Sequence, residues 1–418
     1  MTAGSDAQTI TISHMERGGI TLQPVRDVEV EVDPPVSIWT RNVVILAVTV
    51  FFTRFGQGLQ SGVSTNFFVQ DLGLEGDQVL WLMGIREIPG LCLMFLAALM
   101  MHLPQSRRAF LALFLMGLGY GSYAQVHSYG ALIAVALVAS VGFHNWAPLR
   151  SSLGMGLVGR ERSGRVLGRL NSVGSLASMV GMLAIVFFSE RFGLRIFFVF
   201  GGISIVIAAF MVYRLPKDIG SDPKKMSRLV LKRRYWLFYV LTLFEGSRTQ
   251  VFHTFGAWVL VDIYGFNAQW ISILLIISGI VNFLLSPNVG NWIDRFGERW
   301  VLASSYFALV LCFVGYATVH DPWVLGALYI TISLLVMFRI GLHTYVNRIA
   351  PDEDLSPTLS AGVSINHITS VGMSLVAGTL LKVIGYEGLC WGAAGIILLS
   401  IPFALAIRVE ASEDPVVV

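Results

Sequence analysis

Gly290-Asn-Trp-Ile-Asp294-Arg295-Phe-Gly297-Glu-Arg299 is a short charged break between two long apolar runs, 269–286 and 300–318. Asp294, Arg295, Glu298 and Arg299 have no place in a hydrocarbon layer, so the chain comes to water here. Gly290 and Gly297 let it turn sharply as it does so. Each flanking run is long enough for one helical crossing of a bilayer, which takes about 20 apolar residues. Working outward, the same alternation recurs along the whole chain. Apolar runs fall at 41–69, 79–103, 109–125, 129–157, 164–188 and 194–213, and then at 235–261, 269–286, 300–318, 322–346, 358–383 and 389–407. With 55% hydrophobic and only 13% charged residues, the composition excludes an ordinary soluble domain. The fold class expected is an all-α membrane protein of twelve transmembrane helices.

The runs divide into two six-helix halves, 41–213 and 235–407, joined by a polar linker, 214–234. The linker holds Pro216, Pro223 and the basic residues Lys217, Lys224, Lys225, Arg228, Lys232, Arg233 and Arg234. Residues 1–40 and 408–418 read as tails. Within the first of them, valines alternate with acids from Asp27 to Asp33, a pattern that also suits a strand on a partner. No charged-then-apolar leader with a small-residue cleavage site precedes the first run, so helix 1 is expected to serve as the insertion signal. One set of loops carries Arg107, Arg108, Arg160, Arg162, Arg165, the linker, Arg295 and Arg299. The opposite set carries Asp71, Glu75 and Asp77, with Arg191 and Arg195. The bias of basic residues toward the cytoplasm predicts an inner-membrane protein with both termini inside. The net charge is only +3 and the basic residues track topology, which argues against nucleic-acid binding.

The halves echo each other. Arg54 and Arg248 are 194 residues apart, as are Asn145 and Arg339, and Val69-Gln-Asp-Leu-Gly73 after helix 1 matches Val261-Asp-Ile-Tyr-Gly265 after helix 7. A six-helix duplication follows, with the halves parallel.

Gly290, Asp294, Arg295, Gly297 and Arg299 together resemble the G-x-x-x-D-R-x-G-x-R signature of the major facilitator superfamily, which lies between helices 8 and 9 of such transporters. The resemblance implies two pseudo-symmetric bundles, transport by alternating access, and a cytoplasmic gate in which Asp294 caps a helix or pairs with an arginine. The superfamily's first copy, between helices 2 and 3, is reduced here to Arg107 and Arg108. The turn from Arg160 to Gly168 is also similar to these transporters, whereas the proline-containing antiporter signature of helix 5 is missing from 168–181. The resemblance further implies that helices 1, 4, 7 and 10 line the cavity.

Charges inside the hydrocarbon cost about 2.5–3.5 kcal/mol each, so those present face a wet cavity or a partner. Candidate substrate-binding or coupling residues are Arg54, Glu87, His144, Asn145, Glu245, Arg248 and Arg339. Arg54 and Glu87 reach similar depths and suit an ion pair. Glu245 and Arg248 are three apart on one helix face, either neutralising each other or serving the substrate. Arg339 and His343 share a face, with snorkelling to the interface as the plain alternative for Arg339. Asn366 and His367 read as interhelical hydrogen-bonding residues. The excess of buried arginine favours an anionic small molecule, and Glu87, His144 and Glu245 are candidates for proton coupling.

No HExxH, P-loop or G-x-S-x-G turn is present, and Cys92, Cys312 and Cys390 lie apart in apolar runs. An enzyme, a cofactor and a metal are therefore not expected, and a monomer in the bilayer is. The competing functions are efflux of an apolar or cationic drug, for which Met and aromatic helices such as 91–101 are suited, and a non-transporting sensor on the same fold.

Overall fold

The computed structural model describes residues 39–158, 160–219 and 231–408. The alternating segment 27–33, the tails apart from 39, 40 and 408, and residues 220–230 of the linker lie outside the described residues. Among those described there is no strand. In the first half α1 is Arg41–Asn66, α2 Gly76–Leu91 with a short continuation Leu93–Leu99, and α3 Gln105–Ser122. They are followed by α4 Tyr129–Gly156, α5 Arg160–Phe192 and α6 Arg195–Val212. The second half opens with α7, Trp236–Trp258. Two helical stretches, Ala268–Thr318 and Asp352–Leu405, are 51 and 54 residues long. At 1.5 Å per residue each is more than twice a bilayer crossing. Each is in fact a hairpin broken at a single glycine, Gly297 (φ 78°) or Gly385 (φ 69°), a conformation that side chains with a Cβ disfavour. The breaks give α8 and α9, then α11 and α12. Between them α10 runs from Pro322 through Leu335 and a 3₁₀ turn at Val336–Arg339 into Ile340–Ile349. Among the described residues twelve helices result, in two six-helix bundles.

Local chemistry sets the ends. Thr40, Ser128, Asn267 and Asp321 cap α1, α4, α8 and α10 with side-chain oxygens that accept first-turn amides. Pro89 removes a backbone donor just before α2 breaks at Cys92, where the hydropathy pattern predicts one unbroken helix to 103. The signature stretch differs from expectation as well. It is not a loop: residues 290–296 continue α8, and Gly297 alone makes the turn. Outside the bundle, Phe187, Leu99 and Val383 are 72%, 74% and 78% exposed. Apolar surface of that kind belongs against lipid.

The repeat is real, but its register is 192 residues. Gly73 and Gly265 both have positive φ after five-residue π turns, Phe67–Asp71 and Val259–Ile263; Gly193 and Gly385 make the equivalent α5–α6 and α11–α12 turns. All of these pairs are 192 apart. Inside the bundles the register holds: a Cβ at Gly174 would lie 3.0 Å from the Arg54 side chain, and one at Gly246 2.8 Å from the Asn366 carbonyl. Arg54 therefore corresponds to Gly246, and Arg248 to Gly56. The two arginines are not symmetry mates, because a two-residue slip rotates a helical position by about 200°. Asn145 and Arg339 are also out of step, since the caps Ser128 and Asp321 set an offset of 193 at α4 and α10.

Candidate functional site

α2 packs along α11, and α5 along α8, joining the halves. The seam is tightest at the end carrying the α1–α2, α7–α8 and α11–α12 turns. There Asn66 donates to the Phe266 carbonyl (2.8 Å), Gln269 to that of Val186 (3.1 Å) and Trp81 to that of Leu375 (3.2 Å). Lys382 reaches Asp77 at 2.8 Å and Glu75 at 3.6 Å. Small residues permit the approach: a Cβ added at Gly62 would sit 2.5 Å from Ser272 Oγ.

On the signature side of that seam lies an open cavity of about 910 Å³. The first half contributes Arg54, Ser175 and Ser178 to its wall, and the second Asn282, Arg339 and His343. The ion pairs at the signature end, by contrast, do not join the two halves among the described residues: Arg348 pairs with Asp294 and Glu298 inside the second half, and Lys232 of the linker pairs with Asp354. The halves thus meet at one end and leave the cavity accessible from the other.

Arg54 lies along Gly174, and its Nη1 donates to Gln57 Oε1, one turn on, at 3.1 Å. Arg150 of α4 lies within electrostatic range. The expected pairing with Glu87 is not formed, because equal depth in two helices says nothing of the direction each side chain takes. Arg339 ends the 3₁₀ turn of α10 and is half exposed in the cavity, with Nη1 3.7 Å from Glu245 Oε1. Glu245 is buried and also receives Asn366 Nδ2 at 3.4 Å. For Arg339, a half-exposed guanidinium is also what snorkelling toward the interface gives. Its contact with Glu245 is loose, and the guanidinium is presented to solvent.

Arg248 is absent from the cavity wall. It is 9% exposed, its guanidinium 4.0 Å over the Tyr306 ring of α9. A cation on an aromatic face is a packing solution, and it follows from the slipped register. Asn145 is buried, is absent from the cavity wall, and donates to the Val141 carbonyl of its own helix at 2.8 Å. Glu87 and His144 also lie off the cavity wall. His144 Nε2 is 3.4 Å from Glu87 Oε2, and His367 Nδ1 of α11 is 3.0 Å from the same oxygen. The interhelical hydrogen bond expected of His367 is formed, but its partner, Glu87, was not identified from the sequence. Its signal was a histidine in an apolar run, and the intervals that separate Glu87 from His144, 57 residues, and from His367, 280 residues, conceal the cluster.

The signature stretch forms an ion-pair hub around a residue outside it. Arg348 contacts Asp294 Oδ1 and Glu298 Oε1, each at 2.9 Å. Asp294 does pair with an arginine as expected, and the buried Glu298 is an addition. Arg295 and Arg299 lie over their neighbours Phe296 and Trp300 instead of joining. A Cβ at Gly290 would meet open space, so close helix approach is not its role in this conformation. In the first half Arg107 rests 3.3 Å over the Tyr213 ring.

Comparison with known proteins agrees with this architecture. A family model described as Major Facilitator Superfamily matches residues 46–353 and 249–417. The chain is 25% identical over 315 residues to a chloramphenicol resistance protein of Streptomyces lividans, covering 70% of this chain and 80% of that one. Over 185 residues it is 25% identical to multidrug resistance protein MdtG of Serratia proteamaculans (strain 568), covering 41% of this chain and 44% of that one. The crystal structure of the nucleoside transporter NupG superposes with a TM-score of 0.72 at 16% identity, covering 88% and 99% of the two chains.

Proposed function

The chain belongs to the Major Facilitator Superfamily, and from that premise we propose that it carries a small organic anion by alternating access, with a proton as coupling ion. It is a membrane transporter and not an enzyme. The observation that carries the anion reading is a cavity between the halves to which each half contributes an arginine, Arg54 and Arg339. Guanidinium forks bind carboxylate or phosphate through paired donors. An anion held by both arginines engages both rocking bodies at once, which is what alternating access requires of a substrate site.

Coupling follows from competition for Arg339. An anion that engages this guanidinium draws it from Glu245, 3.7 Å away. The buried carboxylate then needs another neutralising charge, and a proton supplies it. Among the described residues Arg339 contacts Glu245, and His343 and Tyr306 lie within electrostatic range of it. Glu245→Gln mimics the protonated form. In proteoliposomes loaded with an anion identified by thermal-shift screening, it is expected to exchange anion normally but to lose at least about tenfold of proton-gradient-driven accumulation. Gradient-driven uptake equal to wild type would remove Glu245 from coupling. Binding without flux in the wild-type protein would convert the reading to a sensor.

The relatives' names favour a second reading, export of uncharged drugs such as the chloramphenicol for which one of them is named. Met179, Met182 and Met337 in the cavity wall suit such a solute. Counterflow of chloramphenicol beside a panel of organic anions separates the two.

The loop charges support an inner-membrane protein with both termini cytoplasmic and the cavity opening to the cytoplasm. Single cysteines at Asp71, Arg162 and Lys224 test the orientation. A membrane-impermeant maleimide applied to intact cells is expected to label only the one at position 71, and labelling at 224 would invert the topology.

A further inference from the structure

The cluster of Glu87, His144 and His367 plays no part in the cavity, yet its ligand atoms all lie within 4.8 Å of one another. Its chemistry is set by Ser140. His144 Nδ1 is 3.0 Å from the Ser140 carbonyl oxygen, which only accepts, and Ser140 Oγ gives its own hydrogen to the Arg86 carbonyl. Nδ1 of His144 therefore carries a hydrogen, and Nε2 is the ring atom left facing Glu87 Oε2, 3.4 Å away, where the neutral imidazole presents a lone pair. With the imidazole neutral, two lone-pair atoms face each other, an arrangement that a cation between them stabilises. A carbonyl-bound Nδ1–H is also the support that orients metal-ligating imidazoles.

The two separations from Glu87 suit a metal ion, while the two imidazoles are bounded only by the 4.8 Å span and would close slightly on it. Tetrahedral ligands at about 2.0–2.1 Å stand roughly 3.3 Å apart, and the two nitrogens here lie 3.4 and 3.0 Å from Oε2. Two imidazoles and one carboxylate are a donor set for zinc and its first-row neighbours. Gly90 keeps the space open: a Cβ there would be 2.7 Å from His367 Cε1 and 2.9 Å from His144 Nε2. We infer that Glu87, His144 and His367 form a binding site for a divalent first-row transition ion, and that the ion staples the two halves in the conformation with the α2–α11 seam closed. Glu87 and His144 ride on the first bundle and His367 on the second, so rocking changes their separation and occupancy opposes it.

Zn²⁺ alone is the probe, with the full-length transporter in detergent and in proteoliposomes. Zn²⁺ is expected to bind at one site per chain and to raise the melting temperature. Co²⁺ should give the visible absorption of a tetrahedral centre. His144→Gln, His367→Gln and Gly90→Ala are each expected to weaken Zn²⁺ binding at least about tenfold. The staple is read separately, from a Ser272→Cys variant whose three native cysteines are replaced. Position 272 is buried against Gly62 in the closed seam, and Zn²⁺ should slow its maleimide labelling severalfold. Absence of binding, or binding that survives all three variants, overturns the site and leaves His144 as a protonated partner of Glu87. Binding with unchanged labelling overturns the staple. None of these readouts depends on which solute is carried, so failure here is distinguishable from failure of the anion reading.

Discussion

Arg54→Gln is expected to reduce anion transport about 10- to 100-fold while the protein remains folded. A charge-assisted hydrogen bond contributes about 1.5–3 kcal/mol, and about 1.4 kcal/mol is tenfold in affinity. Folding survives because the guanidinium lies at the cavity, bonded to Gln57, which retains a second contact at Met116 Sδ. Glutamine there leaves no buried ion unpaired. Arg54→Lys keeps the charge but loses the fork, so its loss should be intermediate. Arg248→Gln is the contrast. That side chain is stacked on Tyr306, away from the cavity wall, and its removal should lower thermal stability with little change in anion affinity. Flux and equilibrium binding in proteoliposomes at matched protein levels, with melting temperatures alongside, measure all three. Wild-type flux in Arg54→Gln together with lost binding in Arg248→Gln would reverse the assignment and place the anion in the second half.

The contrast between these arginines marks where the sequence was readable. Hydropathy located twelve spans because a bilayer imposes one length and one polarity on every crossing. Loop breaks and the Gly297 turn were legible for the same reason. Azimuth was not. Arg54 and Arg248 look equivalent at an interval of 194, but matching two isolated charges carries no information on which way a helix is turned. The short match between 69–73 and 261–265 held the true register of 192, because its glycines are fixed by positive φ. Side-chain partnerships across bundles were hidden for a different reason. His367 joins Glu87 from 280 residues away, and Arg348 joins the signature stretch from the far end of α10. Neither interval has a helical period to give it away. What long-range packing decides, local pattern does not show.

Arg348→Met is expected to be the most destabilising change at the signature end, exceeding Asp294→Asn. The two acids that share Arg348 differ in their surroundings: the Asp294 side chain is 75% exposed and that of Glu298 only 2%. An exposed pair is worth about 0–1 kcal/mol, so Asp294→Asn should leave stability nearly intact. Removing the arginine instead strands a buried carboxylate, a loss of about 3 kcal/mol where one partner of a buried pair is deleted. Glu298 lies in the first turn after Gly297, where backbone amides offset part of this but do not replace a full positive charge. The compensated double change Arg348→Met with Glu298→Leu should restore most of the lost stability, since it removes both charges together. Thermal unfolding in detergent ranks the variants, and flux reports the gate separately. A gate at Asp294 predicts that Asp294→Asn keeps the melting temperature but slows transport, through a weaker tie between the α8–α9 turn and the end of α10. Equal melting temperatures for Arg348→Met and wild type would dissolve the hub, and an Asp294→Asn variant with wild-type flux would leave the signature a structural turn.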